Sequence, residues 1–284
     1  MTTTPQIIDL LIEARWIAAV DPDVVFKNHA VAIHGGRILA ILPAGEARIR
    51  YMPGNHVTLD DHILIPGLIN LHTHAAMTLM RGLADDRPLM DWLQNHIWPA
   101  ESAHMSAQFV LDGTRLACAE MLKGGITCFN DMYFFPEAAA TAASEYGMRA
   151  MLGITAIEFP TPYASDADDY LNKGLAVREQ WLNNPLIGFC IAPHAPYTVS
   201  DPTFERVLTL SAQLNLPVHC HIHETSHEIE ESLRQQKCRP LDRLNALGLL
   251  GPTSLAFMPS ISMTMTWNSF RKPAAISPIA RHPI

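Results

Sequence analysis

Two histidines close a short apolar run, Ile65-Pro66-Gly67-Leu68-Ile69-Asn70-Leu71-His72-Thr73-His74. Side chains alternate along a strand, so His72 and His74 point the same way. Two imidazoles at a strand's C-terminal end can share one transition-metal ion. An isolated pair of this kind is more often two core histidines, so its weight comes from histidines at other strand ends. Pro217-Val218-His219-Cys220-His221-Ile222-His223-Glu224 is such an end. Alternation puts His219, His221 and His223 on one face and Glu224 on the other. Glu224 can join them only if the strand ends near His223 and the backbone turns. A glutamate beside a metal site is a natural proton shuttle. One of these histidines can be a third ligand; the plainer roles are a layer below for His219 and the mouth for His223. Ala192-Pro193-His194-Ala195-Pro196-Tyr197 is a third strand end. Its prolines fix the loop around His194, which suits a ligand, a substrate contact or a packing residue. In Trp92-Leu-Gln-Asn-His-Ile-Trp-Pro-Ala-Glu101 the spacing predicts a short helix stopped by Pro99, with Glu101 opening the next element.

The elements that must carry these residues alternate. Residues 7–60 read as short β segments, including a hairpin around Gly35-Gly36. From Leu64 onward, apolar runs at 64–72, 125–130, 148–155, 187–193 and 216–222 are separated by helical stretches. Ser106 caps a helix running to Leu122, Pro136–Glu145 and Asp166–Leu182 form two more, Ser200 starts another, and Ser226–Gln236 is a polar one. Strands and helices in this order predict a parallel sheet, open or closed. The charge balance, 28 acidic against 20 basic residues, argues against a nucleic-acid partner and suits a soluble enzyme for small molecules. Five scattered cysteines without a CxxC pair read as reduced thiols, so the expected location is cytoplasmic. No basic-apolar leader opens the chain, and no uncharged run reaches the ~18 residues of a membrane span.

Together, PGLINLHTHAAMTLMRGLADD (66–86), WLQNHIWPAE (92–101), GGITCFNDMYFFPEA (124–138), APHAPYT (192–198) and HCHIHET (219–225) resemble the amidohydrolase superfamily, in its 5-methylthioadenosine/S-adenosylhomocysteine deaminase branch. The resemblance implies an α/β fold, a (β/α)8 TIM-type barrel with a small β-sandwich. It implies His72, His74 and His221 as ligands of one divalent ion, zinc or alternatively iron. Glu224 would be the acid/base that carries a proton to the purine ring nitrogen, Glu101 would grip the ribose hydroxyls, and His194 would touch substrate. The partner would be a small nucleoside, without nucleic acid or membrane; self-association is left open.

The resemblance also calls for a histidine on the sixth strand and an aspartate on the eighth. No histidine follows Leu255 before His282, and no acidic residue follows Asp242. Codons for FMPSISMTMTWNSF (257–270) can be chosen so that a one-base shift spells VHAVHLDDDDLEF, close to what the family continues with. A change of reading frame near Ala256 is therefore expected. Residues 1–60 would be part of the sandwich, 61–256 a partial barrel of five to six strands, and 257–284 an aberrant, disordered tail. Such a chain would have little turnover. The competing readings are a guanine or triazine-type hydrolase of the same superfamily and a non-catalytic pseudoenzyme that keeps only the binding sites.

Overall fold

The computed structural model describes residues 4–251 and 254–257, in two compact units that divide after Gly67. The first contains β1 (Gln6–Ala18), β2 (Val25–His34), β3 (Arg37–Pro43), α1 (Ala44–Arg50) and β4 (Tyr51–Leu64). They form one sheet in the order β3-β2-β1-β4, with β1 and β4 parallel and the other pairs antiparallel. The β2–β3 turn is the expected hairpin: Gly35 and Gly36 have φ of 59° and 72°, the left-handed pair that a tight two-residue turn demands. Ile8, Leu11, Ala30, Ala32 and Leu42 form a small core on which Ala47 of α1 packs. That helix lies where only β segments were expected. Its sequence, AGEARIR, is too short to show a helical period, and burial of Ala47 fixes it.

The second unit alternates strand and helix. Its strands are β5 (Leu68–Thr73), β6 (Ile126–Asp131), β7 (Arg149–Ala156), β8 (Ile187–Pro193), β9 (Val218–His221) and β10 (Ser254–Phe257). They lie side by side in chain order and all pair in parallel. Between them run α2 (Leu89–Trp92), α3 (Trp98–His104), α4 (Ala107–Lys123), α5 (Pro136–Glu145), α6 (Ala167–Trp181), α7 (Asp201–Leu214), α8 (Ser226–Gln236) and α9 (Pro240–Ala246). The side chains of Ser106, Asp166, Ser200 and Thr225 cap α4, α6, α7 and α8, each accepting the N–H three residues on. The core lies between helices and strands, with Phe129, Leu152, Ile154, Tyr170 and Phe204 almost wholly buried. The expected frame change near Ala256 falls within β10, which includes Phe257, and the rest of the expected tail lies outside the described residues.

Pro99 does not stop its helix, contrary to the expectation. A wide turn, Leu93–Ile97, joins α2 to α3; the N–H of Trp98 bonds to Leu93 five residues back, and Glu101 sits inside α3. A proline ring clashes with the carbonyl four residues earlier in a regular α-helix, and the wider turn relieves that clash. The same turn sets direction. Twelve residues at about 100° each would leave Glu101 some ~120° away from Leu89, and absorbing one extra residue cuts this to ~20°. Leu89, Leu93, Ile97 and Glu101 consequently line one cavity.

Candidate active site

The chemistry-bearing residues gather at the C-terminal ends of the parallel strands, the face on which such sheets place their sites. His72 is the penultimate residue of β5, His74 follows it, His221 ends β9, and His194 follows β8. The imidazoles of His72, His74 and His221 form a nearly equilateral triangle, with centroid separations of 5.2, 5.0 and 5.1 Å. One ring nitrogen from each lies within 4.8 Å of the others.

Backbone carbonyls fix the direction of two of these rings. His74 Nδ1 lies 2.7 Å from the carbonyl of Met132, and His221 Nδ1 lies 3.0 Å from that of His194. A carbonyl only accepts, so both Nδ1 atoms carry the proton and both Nε2 atoms present a lone pair. His221 Nε2 stands 3.0 Å from His72 Nε2. Burial holds all three rings below the ordinary histidine range, His221 down to about 2, with charge on neighbouring histidines adding to the effect for His72 and His221. Neutral imidazoles with converging lone pairs fit a divalent transition metal.

Glu224 reaches the same place because the strand stops. β9 ends at His221, and His223 has φ of 59°, a left-handed conformation rare for a residue with a side chain. The turn carries Glu224 onto the wall of a cavity of about 250 Å³ that it shares with His74, His194, His221 and Glu101. Tyr197 donates to Glu224 Oε2 at 2.9 Å, and burial pushes this carboxyl above its usual range. Tyr133 donates to Glu101 Oε1 at 2.7 Å, and burial raises Glu101 to about 7. His194 Nδ1 lies 2.9 Å from the Thr198 hydroxyl, and burial lowers its ring to about 4. The rest of the wall is mainly apolar, with Trp92, Trp98 and Phe159 prominent.

Two histidines of the 217–224 run stand apart. His219 is fully buried with Nδ1 3.2 Å from Asn130 Nδ2, a layer below the site. His223 is buried and absent from the cavity wall. Asp131, Tyr133, Tyr197 and Glu228 are contributors that the sequence reading passed over. Asp131 ends β6, fully enclosed; its Oδ1 accepts from the Thr73 hydroxyl at 2.9 Å and the Ala75 N–H at 2.7 Å, fixing the segment between and after the two histidines. Burial raises it to about 6. Tyr133 and Tyr197 lie inside quoted motifs, yet nothing local points a phenol at a carboxylate 32 or 27 residues away. Glu228 had a local signal, the Thr225-x-x-Glu228 spacing of a capping box.

This site and strand order define a class, and the chain belongs to the amidohydrolase family, which it matches over residues 63–282. The six parallel strands among the described residues are part of a TIM-type barrel of the amidohydrolase kind, preceded by a β domain. More particularly, it is 49% identical over 255 residues to a 5-methylthioadenosine/S-adenosylhomocysteine deaminase of Saccharophagus degradans, covering 89% of this chain and 57% of that protein. It is 46% identical over 253 residues to the protein of the same name from Teredinibacter turnerae, covering 89% and 57%. The chain thus spans little more than half the length of these curated relatives. Among solved structures, an adenosine deaminase from Xanthomonas campestris with bound zinc superposes with a TM-score of 0.87 at 49% identity, covering 89% of this chain and 58% of that one. A guanine deaminase from C. acetobutylicum shares the fold, with a TM-score of 0.72 at 19% identity over 89% of this chain and 63% of that one.

Proposed function

We propose that these residues form the site of a metal-dependent aminohydrolase that replaces the 6-amino group of a 5-methylthioadenosine- or S-adenosylhomocysteine-type nucleoside with oxygen, consuming water and releasing ammonia. The observation that carries the reading is the convergence of His72, His74 and His221, two of which, His74 and His221, line the cavity that Glu101 and Glu224 also line. His72, His74 and His221 would hold one divalent ion, zinc in preference to iron. The ion supplies Lewis acidity that makes water a nucleophile at neutral pH. Glu224 takes the proton released as water attacks and delivers it to the ring nitrogen, which must gain one as aromaticity is lost. Burial shifts its carboxyl upward, the direction that favours holding a proton in transit. Glu101, once ionised, offers two acceptor oxygens to a cis-diol, and His194 contacts the base. The apolar wall of Trp92, Trp98 and Phe159 favours a thioether arm over a free hydroxyl.

Binding and turnover are separate expectations here. The chain holds a divalent ion and a nucleoside through residues that all precede Ala256, whereas turnover is compared between the two reading frames beyond it. The test is zinc dialysis and nucleoside titration on this chain, with ammonia release from methylthioadenosine, S-adenosylhomocysteine, adenosine and guanine measured on this chain and on one with the frame restored at codon 256. Deamination of the adenosine types by the restored chain, lost on Glu224→Gln, supports the reading. Guanine as sole substrate, or zinc binding untouched by His72→Ala and His221→Ala, would sink it.

A further inference from the structure

Glu224 departs from the alternation of β9, and something must hold it there. The side chain of Glu228, one turn into α8, is 5% exposed. Its Oε1 accepts from the N–H of His223 at 3.1 Å, and its Oε2 accepts from the N–H of Glu224 at 2.8 Å. Its own N–H is received by the Thr225 hydroxyl at 3.1 Å. In an ordinary capping box the glutamate reaches back to the N–H of the cap residue itself. Here it reaches one and two residues further upstream, onto the turn made by the left-handed His223. A helix cap alone could leave this carboxylate in water. Burial instead spends both of its oxygens on two consecutive amides that leave the strand unpaired, since β9 ends at His221. The other end of Glu224 is held by Tyr197. Its backbone and its carboxylate are thus fixed by two different segments, the first turn of α8 and the loop after β8.

We propose that Glu228 is a positioning residue for Glu224: by bridging the amides of His223 and Glu224 it stabilises the left-handed turn and aims the Glu224 carboxylate into the cavity. The role rests on the reading of Glu224 as the proton carrier. Glu228 itself need not touch substrate, so its loss should spare ground-state binding and weaken whatever depends on where the Glu224 carboxylate stands.

The test uses the full chain with Glu228→Gln, which keeps the side chain's shape but turns a donor against one of the two amides. Residue-resolved amide exchange is expected to speed up at His223 and Glu224 by about tenfold or more, with the interior of α8 unchanged within about twofold. On the zinc-loaded chain, the affinity for a hydrated purine ribonucleoside, which carries the C6 hydroxyl and the N1 proton of the reacting species, is expected to fall about tenfold, while that for methylthioadenosine stays within about twofold. Wild-type chain that binds neither ligand sinks the reading of Glu224 and this role with it. Binding of both, with the affinity ratio and the two amides unmoved by Glu228→Gln, sinks the role of Glu228 alone. Uniform loosening of α8 with equal loss of both ligands marks a mere helix cap and also overturns it. Should Glu228→Gln not fold, Thr225→Ala, which frees the carboxylate's own segment, is expected to give the same split in smaller measure, and no split is again a refutation.

Discussion

Glu101 shows how one side chain can set the working range of a site. Its carboxyl is buried against an apolar wall and stays protonated to about pH 7, even though Tyr133 donates to it. Its ionised form is the one that accepts two hydroxyls. Nucleoside affinity should therefore rise between pH 6 and 8, followed by quenching of Trp92 and Trp98, which line the same cavity. Glu101→Gln should flatten that rise. The Tyr133 hydroxyl favours the ionised form, so Tyr133→Phe should move the midpoint upward; a downward move would contradict the geometry. The linkage to folding has the opposite sense. The folded value lies above the unfolded one, so the folded chain binds more protons between the ordinary carboxylate range and about 7, and stability contributed by this group falls as pH rises through that window. A urea melt series should show that decline diminished in Glu101→Gln.

At the scale of elements, close approach matters more than propensity. A Cβ on Gly113 of α4 would lie 2.8 Å from the Cα of Ala76, in the turn that follows His72 and His74, and closer still to its carbonyl oxygen. Alanine in a helix is worth about 1 kcal/mol over glycine. Overpacking against backbone costs about 1–3 kcal/mol. Gly113→Ala should thus destabilise on balance and disturb His74, lowering zinc affinity, whereas Ser106→Ala should cost about 1 kcal/mol through the lost cap with zinc affinity intact. Thermal melts with and without zinc separate the two. The helix starts were readable because a cap is local: Ser106, Asp166 and Ser200 each stand three residues from the amide they bond. The two-residue alternation likewise read His72 with His74, and it stated correctly that Glu224 needed a turn. It could not choose among His219, His221 and His223, because strand length and layer depend on neighbouring strands. Nor could it see that Pro99 continues a helix, since the wide turn is set by what the cavity side of that helix must cover. Asp131 escaped notice because its partners lie 58 and 56 residues away.

For the molecule as a whole, the arrangement of strands leaves borders. Among the described residues β5 pairs only with β6, and Leu68, Ile69 and Leu71 on it are half exposed or more. Such an edge is a template for pairing with another chain. Concentration-dependent self-association is expected by light scattering, and Ile69→Lys should reduce it; an unchanged mass would place the contact elsewhere. No helix among the described residues is long and apolar enough to cross a membrane.

The triangle of His72, His74 and His221 spans from that border across the sheet to β9. His72 and His221 are 149 positions apart in sequence, on strands separated by three others. An ion held between them would act as a reversible cross-link closing a very long loop, the kind whose closure removes most entropy from the unfolded chain. Chelation should then be felt first as fraying of β5, visible as proteolytic nicking near Gly67, well before the remaining strands let go.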